Sequence, residues 1–387
     1  MGRARGGAGH DIGATAYLWP VDGSLGRARG GTGHGPAPRL AAEVGGEGGS
    51  MTAATGAVSR VPLVDLSGAF EPGARRGEAV EAIRRACEDV GFLVITGHGV
   101  PDDLVQRVDA ASRRLFALPV EEKMVWARGS DNLRGYVPLK SSTLALAHGE
   151  ATPPDLSELY TVGRFDDPEA AARAGSREGQ DAGRSAFFAP NIWPDAERVP
   201  DFKEALNACY AALEDLAAKL MSLMALALEL DEHWFDDKIA EHITGLAVLR
   251  YPALEEPPLE GQYRRGPHTD WGSLTILYHD GQPGLQILSP EGRWEDVPSV
   301  AGSFVVNLGD LMAAWTNDRW VSTRHRVVVP EDATGERISV AFFHQPAYDA
   351  LIECIPTCTS PDDPPRHEPV TSGEWIRLMI EKTTTYP

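Results

Sequence analysis

A mostly β fold with flanking α-helices, closed into a jelly-roll or barrel, is the architecture this sequence predicts. Short β-branched and aromatic runs crowd its carboxy-terminal half, at 274–278, 284–288, 304–308 and 326–329. Turn dipeptides punctuate them: Asp280-Gly281, Pro283-Gly284, Glu291-Gly292 and Thr334-Gly335. Helical periodicity lies in the segments that flank this stretch. Many short strands with regular turns make such a core, with ligands held inside its mouth.

Taken in order, residues 1–50 are rich in Gly, Ala and Arg, and the nonapeptide Gly2 to His10 recurs with one change from Gly26 to His34. Such a segment buries too little apolar surface to offset its ordering entropy. It is expected to be a disordered tail or the product of a start placed too far upstream. Met51 as initiator is the preferred reading, because the fold begins soon after it. Val61-Pro62-Leu63-Val64-Asp65-Leu66 reads as a first strand. An amphipathic helix is predicted over 78–90, with Val80, Ile83, Ala86, Cys87 and Val90 on one face and Gly91 as its stop. A buried strand follows at 92–96, then a turn through His98, which reads as a histidine satisfied by backbone. Asp102 or Asp103 is expected to cap the next helix, which runs toward Leu118. Residues 127–200 look loop-rich, with a charged surface excursion at 169–184. One long helix is predicted over 201–230; its leucines are core positions, among them Leu206, Leu213, Leu216, Leu220 and Leu223. A strand at 246–252 enters the strand-rich half. A last helix is expected over 372–382, capped by Thr371 or Ser372.

Composition narrows the function. The chain has 387 residues, 42% hydrophobic and 24% charged, the balance of an ordinary globular protein. A formal net charge of −20 argues against a nucleic-acid backbone as partner, since phosphate binding needs clustered Lys and Arg. No apolar run is long enough to span a bilayer. Four cysteines (Cys87, Cys209, Cys354, Cys358) make no disulfide framework in so long a chain and point to reduced thiols in a cytoplasm. Cys354-x-x-x-Cys358 lacks the second pair that a structural zinc site needs.

The chemistry concentrates in Gly266-Pro267-His268-Thr269-Asp270 and Ser322-Thr323-Arg324-His325-Arg326. Side chains alternate along a strand, so His268 and Asp270 share a face. His325, 55 residues beyond Asp270, completes two imidazoles and one carboxylate. That set leaves one face of a metal open and suits non-heme Fe(II) that activates O2. Arg337 and Ser339 share a strand face by the same period, and an arginine fork there suits a carboxylate.

With these residues assembled, the chain resembles the isopenicillin N synthase-like branch of the Fe(II)/2-oxoglutarate-dependent oxygenases, over roughly 61–382. In the amino-terminal half the matching pieces are 61–66, Gly91-Phe92 through Gly97-His98-Gly99-Val100, Phe116-Ala117-Leu118-Pro119 and Asn191-Ile192-Trp193-Pro194. In the other half they are Arg250-Tyr251-Pro252, His268-Thr269-Asp270, Gly284-Leu285-Gln286, Asn307-Leu308-Gly309-Asp310, His325-Arg326-Val327 and Arg337-Ile338-Ser339. The resemblance implies a double-stranded β-helix (jelly-roll) core, with an amino-terminal oxygenase region at 61–200 and a helix-braced jelly-roll domain at 201–387. It implies Fe(II) on His268, Asp270 and His325. It places the distal carboxylate of 2-oxoglutarate on Arg337 and Ser339, with Tyr251 assisting. The expected reaction consumes O2, oxidises a C–H bond of a small-molecule metabolite and releases succinate and CO2, with ascorbate as an accessory reductant. The expected state is a cytoplasmic monomer with neither nucleic-acid nor membrane partners.

Three other readings stay open. A zinc hydrolase on the same ligands has no role for Arg337-x-Ser339. A non-catalytic jelly-roll binding protein would bury unpaired ligands at a cost. A 2-oxoglutarate-independent oxidase like isopenicillin N synthase shares the arginine and serine, but also carries a glutamine near its carboxyl end, and here none follows Gln345. Succinate release separates the last. By their place beside the matched motifs, Tyr136, Trp271, Tyr278, Phe343 and Gln345 are the candidate substrate contacts.

Overall fold

The computed structural model describes residues 59–129, 132–176, 183–330 and 335–383. The expectations for residues 1–50, for Met51 and for the turn at Thr334 lie outside the described residues. Two antiparallel sheets dominate. The strands are β1 (Leu63–Asp65), β2 (Phe92–Thr96), β3 (Gly135–Val137), β4 (Glu158–Val162), β5 (Gly245–Tyr251), β6 (Arg265–His268), β7 (Leu274–His279), β8 (Leu285–Leu288), β9 (Trp294–Asp296), β10 (Phe304–Leu308), β11 (His325–Val327) and β12 (Arg337–His344). The larger sheet runs β1-β2-β10-β7-β12-β5-β4-β3 and the smaller β6-β11-β8-β9. Only the β1–β2 pairing within them is parallel.

The inner faces of the two sheets share one apolar cluster. Phe92, Leu249, Val305 and Ala341 come from the larger sheet, and Ile287 and Val327 from the smaller. This is the jelly-roll the turn-punctuated runs predict. Strands flanked on both sides read as near-continuous apolar runs because both faces are covered. In β2, Phe92 to Ile95 are all buried, and in β12 only Phe343 is partly exposed.

The 26-residue helix Phe202–Ala227 braces the core, packing on helices Ala74–Asp89 and Asp102–Phe116 and against β12. All five leucines expected to face inward are buried. The first helix starts at Ala74, before the predicted 78, because Ala74-Arg75-Arg76 favour helix without carrying the apolar stripe. Gly91 ends it at φ +67°, where a Cβ would strike the Val321 carbonyl. Pro101, not an aspartate, holds the N-cap of the second helix; Asp102 and Asp103 lie in its first turn, where they favour the dipole. His98 is the turn histidine expected: Nε2 lies 3.1 Å from the Gly302 carbonyl and Nδ1 accepts from Val100 N at 3.2 Å.

The largest difference from expectation lies in 127–200. β3 and β4 extend the large sheet there, with Tyr136 and Tyr160 buried. The apolar pattern is broken by Glu158, a buried carboxylate held by Lys123 and Arg250 at 2.7 Å each and by the Tyr136 hydroxyl. The last helix, Ser372–Thr383, begins at the predicted cap: Thr371 Oγ1 accepts from Glu374 N while Glu374 accepts from Thr371, a capping box. Among the described residues no helix is long and apolar enough to cross a membrane.

Candidate active site

β6 ends at His268, whose partner across the ladder is His325 on β11. That register sets the two ring centroids 4.3 Å apart. Asp270 lies two residues past the end of β6, yet the alternation carries over. Its Oδ1 is 3.8 Å from Nε2 of both histidines. All three side chains are buried, and one ligand atom from each lies within 4.8 Å of the others. Among the described residues no other group of three His, Cys, Asp or Glu converges so.

The supporting contacts aim these atoms. Nδ1 of His268 donates to the Gly266 carbonyl at 2.7 Å, and Nδ1 of His325 to the Thr323 carbonyl at 3.1 Å, so each Nε2 lone pair turns inward. Burial, reinforced by His325 and Arg265, holds the His268 pKa well below the usual histidine value, so its imidazole is neutral. Asp270 Oδ2 accepts from Asn307 Nδ2 at 2.7 Å and from the Thr275 hydroxyl, which leaves Oδ1 for a metal. Thr269, between the two ligands, is fixed as well. Its amide donates to Nε2 of His148 at 3.2 Å and its hydroxyl to Asp310 at 3.2 Å. Burial drives His148 down to about 4, so it is the neutral acceptor that amide needs. Two imidazoles and one carboxylate on one face fit Fe(II) with open positions; closed structural zinc sites use four protein ligands.

A second donor set lies in the same cavity. This space is lined by all three candidate ligands together with Tyr251, Arg337 and Ser339. β12 pairs with β5 so that Arg337 faces Tyr251 across the ladder, with its guanidinium 4.9 Å from the Tyr251 ring centre. Arg337 is 1% exposed, yet Nη1 has no partner and Nε has only a 3.4 Å contact to the Gln282 carbonyl. The Ser339 and Tyr251 hydroxyls are 3.5 Å apart, at the limit of a hydrogen bond. These donors fit a carboxylate that would complete them.

A larger cavity adjoins the first, and His268, Asp270, Arg265, Leu249 and Phe343 line both. Trp271, Phe343 and Gln345 line the larger one, as their positions beside the motifs suggested. Tyr136 and Tyr278 do not line either cavity. Tyr136 is buried in the Glu158 network, and Tyr278 packs edge-on against Phe304. Sequence reasoning gave no site role to Thr275 or His148. Asn307 and Asp310 entered only as parts of a matched motif.

Comparison with known proteins supplies the context. The family model described as 2OG-Fe(II) oxygenase superfamily matches residues 243–346, and that described as non-haem dioxygenase in morphine synthesis N-terminal matches 61–196. The chain is 35% identical over 323 residues to the 2-oxoglutarate-Fe(II) type oxidoreductase hxnY of Emericella nidulans, covering 82% of this chain and 88% of that one. It is 36% identical over 293 residues to Validamycin A dioxygenase of Streptomyces hygroscopicus subsp. limoneus, covering 73% and 76%. A full-length Neurospora crassa protein solved in complex with alpha-KG, which is 2-oxoglutarate, superposes with a TM-score of 0.71 at 29% identity, covering 82% of this chain and 95% of that one.

Proposed function

The chain belongs to the 2OG-Fe(II) oxygenase superfamily, and from that premise we propose that His268, Asp270 and His325 hold its Fe(II) while Arg337, Ser339 and Tyr251 hold the far carboxylate of 2-oxoglutarate. The protein is a 2-oxoglutarate-dependent Fe(II) dioxygenase acting on a small metabolite. One observation carries the residue assignment: both donor sets line a single cavity, in which Arg337 Nη1 is buried without a partner.

When bound, the iron and 2-oxoglutarate would supply the oxidising power: one oxygen atom of O2 would go into converting 2-oxoglutarate to succinate and CO2, and the other would be spent on oxidising a substrate C–H bond. The chain's part is placement. Nε2 of each histidine and Oδ1 of Asp270 present lone pairs from one side. Asn307 and Thr275 keep Asp270 from turning. Arg337 offers a fork that a carboxylate fills with two parallel hydrogen bonds, and Ser339 and Tyr251 offer hydroxyls beside it. Burial of the ligands keeps water from competing for them. We assign the two halves different parts in this work. Region 61–200 contributes cavity wall, and region 201–387 contributes every proposed iron and 2-oxoglutarate ligand. The free thiols support a reducing cytoplasm. A monomer is the state this reading expects, checked by light scattering.

The test is an anaerobic titration of the Fe(II) protein with 2-oxoglutarate, following the metal-to-ligand absorption band. His325→Ala is expected to lose iron and turnover while keeping its fold; full activity in that variant would sink the ligand assignment. Arg337→Ala is expected to keep its iron and to bind 2-oxoglutarate at least about twentyfold more weakly, since losing one partner of a buried charged pair costs about 2–5 kcal/mol. Arg337→Lys keeps the charge without the fork and falls between. If both variants bind like wild type, the carboxylate partner lies elsewhere. Oxygen consumption with substrate and no succinate would instead favour the oxidase reading.

A further inference from the structure

We propose that the primary substrate is a small carboxylic acid with an apolar body, and that Arg134 binds its carboxylate in the larger cavity; the inference rests on the functional reading above. Arg134 is 4% exposed and lines that cavity together with His268 and Asp270. Its Nη2 donates to the Phe187 carbonyl at 2.9 Å, and its Nε has no partner. Among the described residues no carboxylate pairs with it. The guanidinium lies directly over Gly163, where a Cβ would overlap Nε, Cζ and Nη2, and a Cβ at Gly245 would sit 3.7 Å from Nη1. Gly163, which has no side chain, therefore makes its seat.

Other buried cations show what a structural role looks like here. Arg184 meets both oxygens of Asp349 at 2.8 Å, and Lys123 meets Glu158 at 2.7 Å. Arg337 and its neighbour Arg264 make no ion pair either, but Arg264 has the Asp280 carboxylate near it and Arg337 belongs to the 2-oxoglutarate end. A buried charge without a partner is costly, and a bound anion is the partner that removes the cost. The lining carries the same sign elsewhere. Arg265 also faces this cavity, and the one carboxylate in its lining, Asp270, is already assigned to iron. Arg265 makes long hydrogen bonds, 3.3 Å to the Ser157 hydroxyl and 3.5 Å to that of Ser142, and has the buried Asp155 carboxylate near it. Leu133, Val137, Leu144, Ile376 and Phe343 give apolar wall for the rest of the molecule. A carboxylate on Arg134 would leave the apolar body to extend toward the metal position within the same space.

The experiment uses the anaerobic Fe(II) protein saturated with 2-oxoglutarate, so that the second anion site is filled. The probes are 3-phenylpropanoic, cyclohexanecarboxylic and 2-naphthoic acids, each against its primary amide, with binding followed by calorimetry. At least one acid is expected to bind about tenfold or more tightly than its amide, with the preference lost in Arg134→Met and partly kept in Arg134→Lys. Without ligand, Arg134→Met is expected to resist urea at least as well as wild type, because it removes an unpaired buried charge. Amides binding as well as acids throughout overturns the proposal, and so does an acid preference that survives Arg134→Met. Should that variant not fold, the acid–amide comparison on wild type and Arg134→Lys still decides. The 2-oxoglutarate band in the same samples separates the two readings. No band defeats the proposed function, whereas a normal band with indifferent acid and amide binding defeats this inference alone.

Discussion

Asp270 has one oxygen left for the proposed metal position because Asn307 and Thr275 occupy the other. Removing the amide frees the carboxylate to rotate or to chelate through both oxygens. Asn307→Ala is therefore expected to weaken Fe(II) affinity by about 10–100-fold, measured by competition with a chelator, with the far-ultraviolet spectrum unchanged. Unaltered affinity would mean that Thr275 holds Asp270 alone. At this scale the candidate ligands were legible because the chemistry demands particular residue types at a strand's period, as in His268-x-Asp270 and Arg337-x-Ser339. Their supports were not. Thr275, Asp310 and His148 act across strands and loops, and a hydrogen bond between distant segments leaves no period in the chain. Arg134 sits in a patternless loop and becomes conspicuous only through its burial and its missing partner.

Among the elements, the carboxy-terminal helix Ser372–Thr383 links local stability to one cavity and not the other. Ile376, Ile380 and Thr383 line the larger space and none of them lines the smaller. Its Trp375 Nε1 donates to the carbonyl of Trp271, one residue past Asp270. Thr371→Ala removes the cap hydroxyl, at a cost of about 1 kcal/mol to the helix. The expected result is a raised KM for the primary substrate with 2-oxoglutarate affinity unchanged; a parallel loss of both would show that the helix supports the whole core. This helix was legible from its cap and periodicity, as were the long brace and β2, β7 and β10. β3 and β4 were hidden because three- and five-residue strands carry little pattern and β4 begins with a buried charge. β11 starts at His325, one residue before its apolar run, because the ladder extends through the ligand itself.

For the whole molecule, buried neutral histidines set the response to acid. Burial drives His344 down to about 3, and His279 and His148 down to about 4. Each folded value lies below the unfolded value of about 6.5, so the unfolded chain binds more protons in between. The stability they contribute is complete above that value and drains as pH falls toward about 3 or 4. His344→Gln should therefore shrink the difference in unfolding free energy between pH 7 and pH 5 by about 2 kcal/mol, read from urea melts. An unchanged difference would mean that His344 is already protonated in the fold at pH 5.

The chain is strongly acidic, with a formal net charge of −20, while Arg134 and Arg337 lie buried, each with a guanidinium nitrogen that has no partner. A dianion such as 2-oxoglutarate thus meets repulsion on approach and attraction only after arrival. Salt screens the first, over a Debye length of about 8 Å at physiological strength, and hardly reaches the second. In anaerobic stopped-flow mixing, capture of 2-oxoglutarate should quicken as potassium chloride rises from about 10 to about 300 mM, while its escape rate stays level. Capture that slows with salt would mean that the mouth's own cations outweigh the field of the whole. Such an enzyme trades fast collection of its anions for long retention of those it admits.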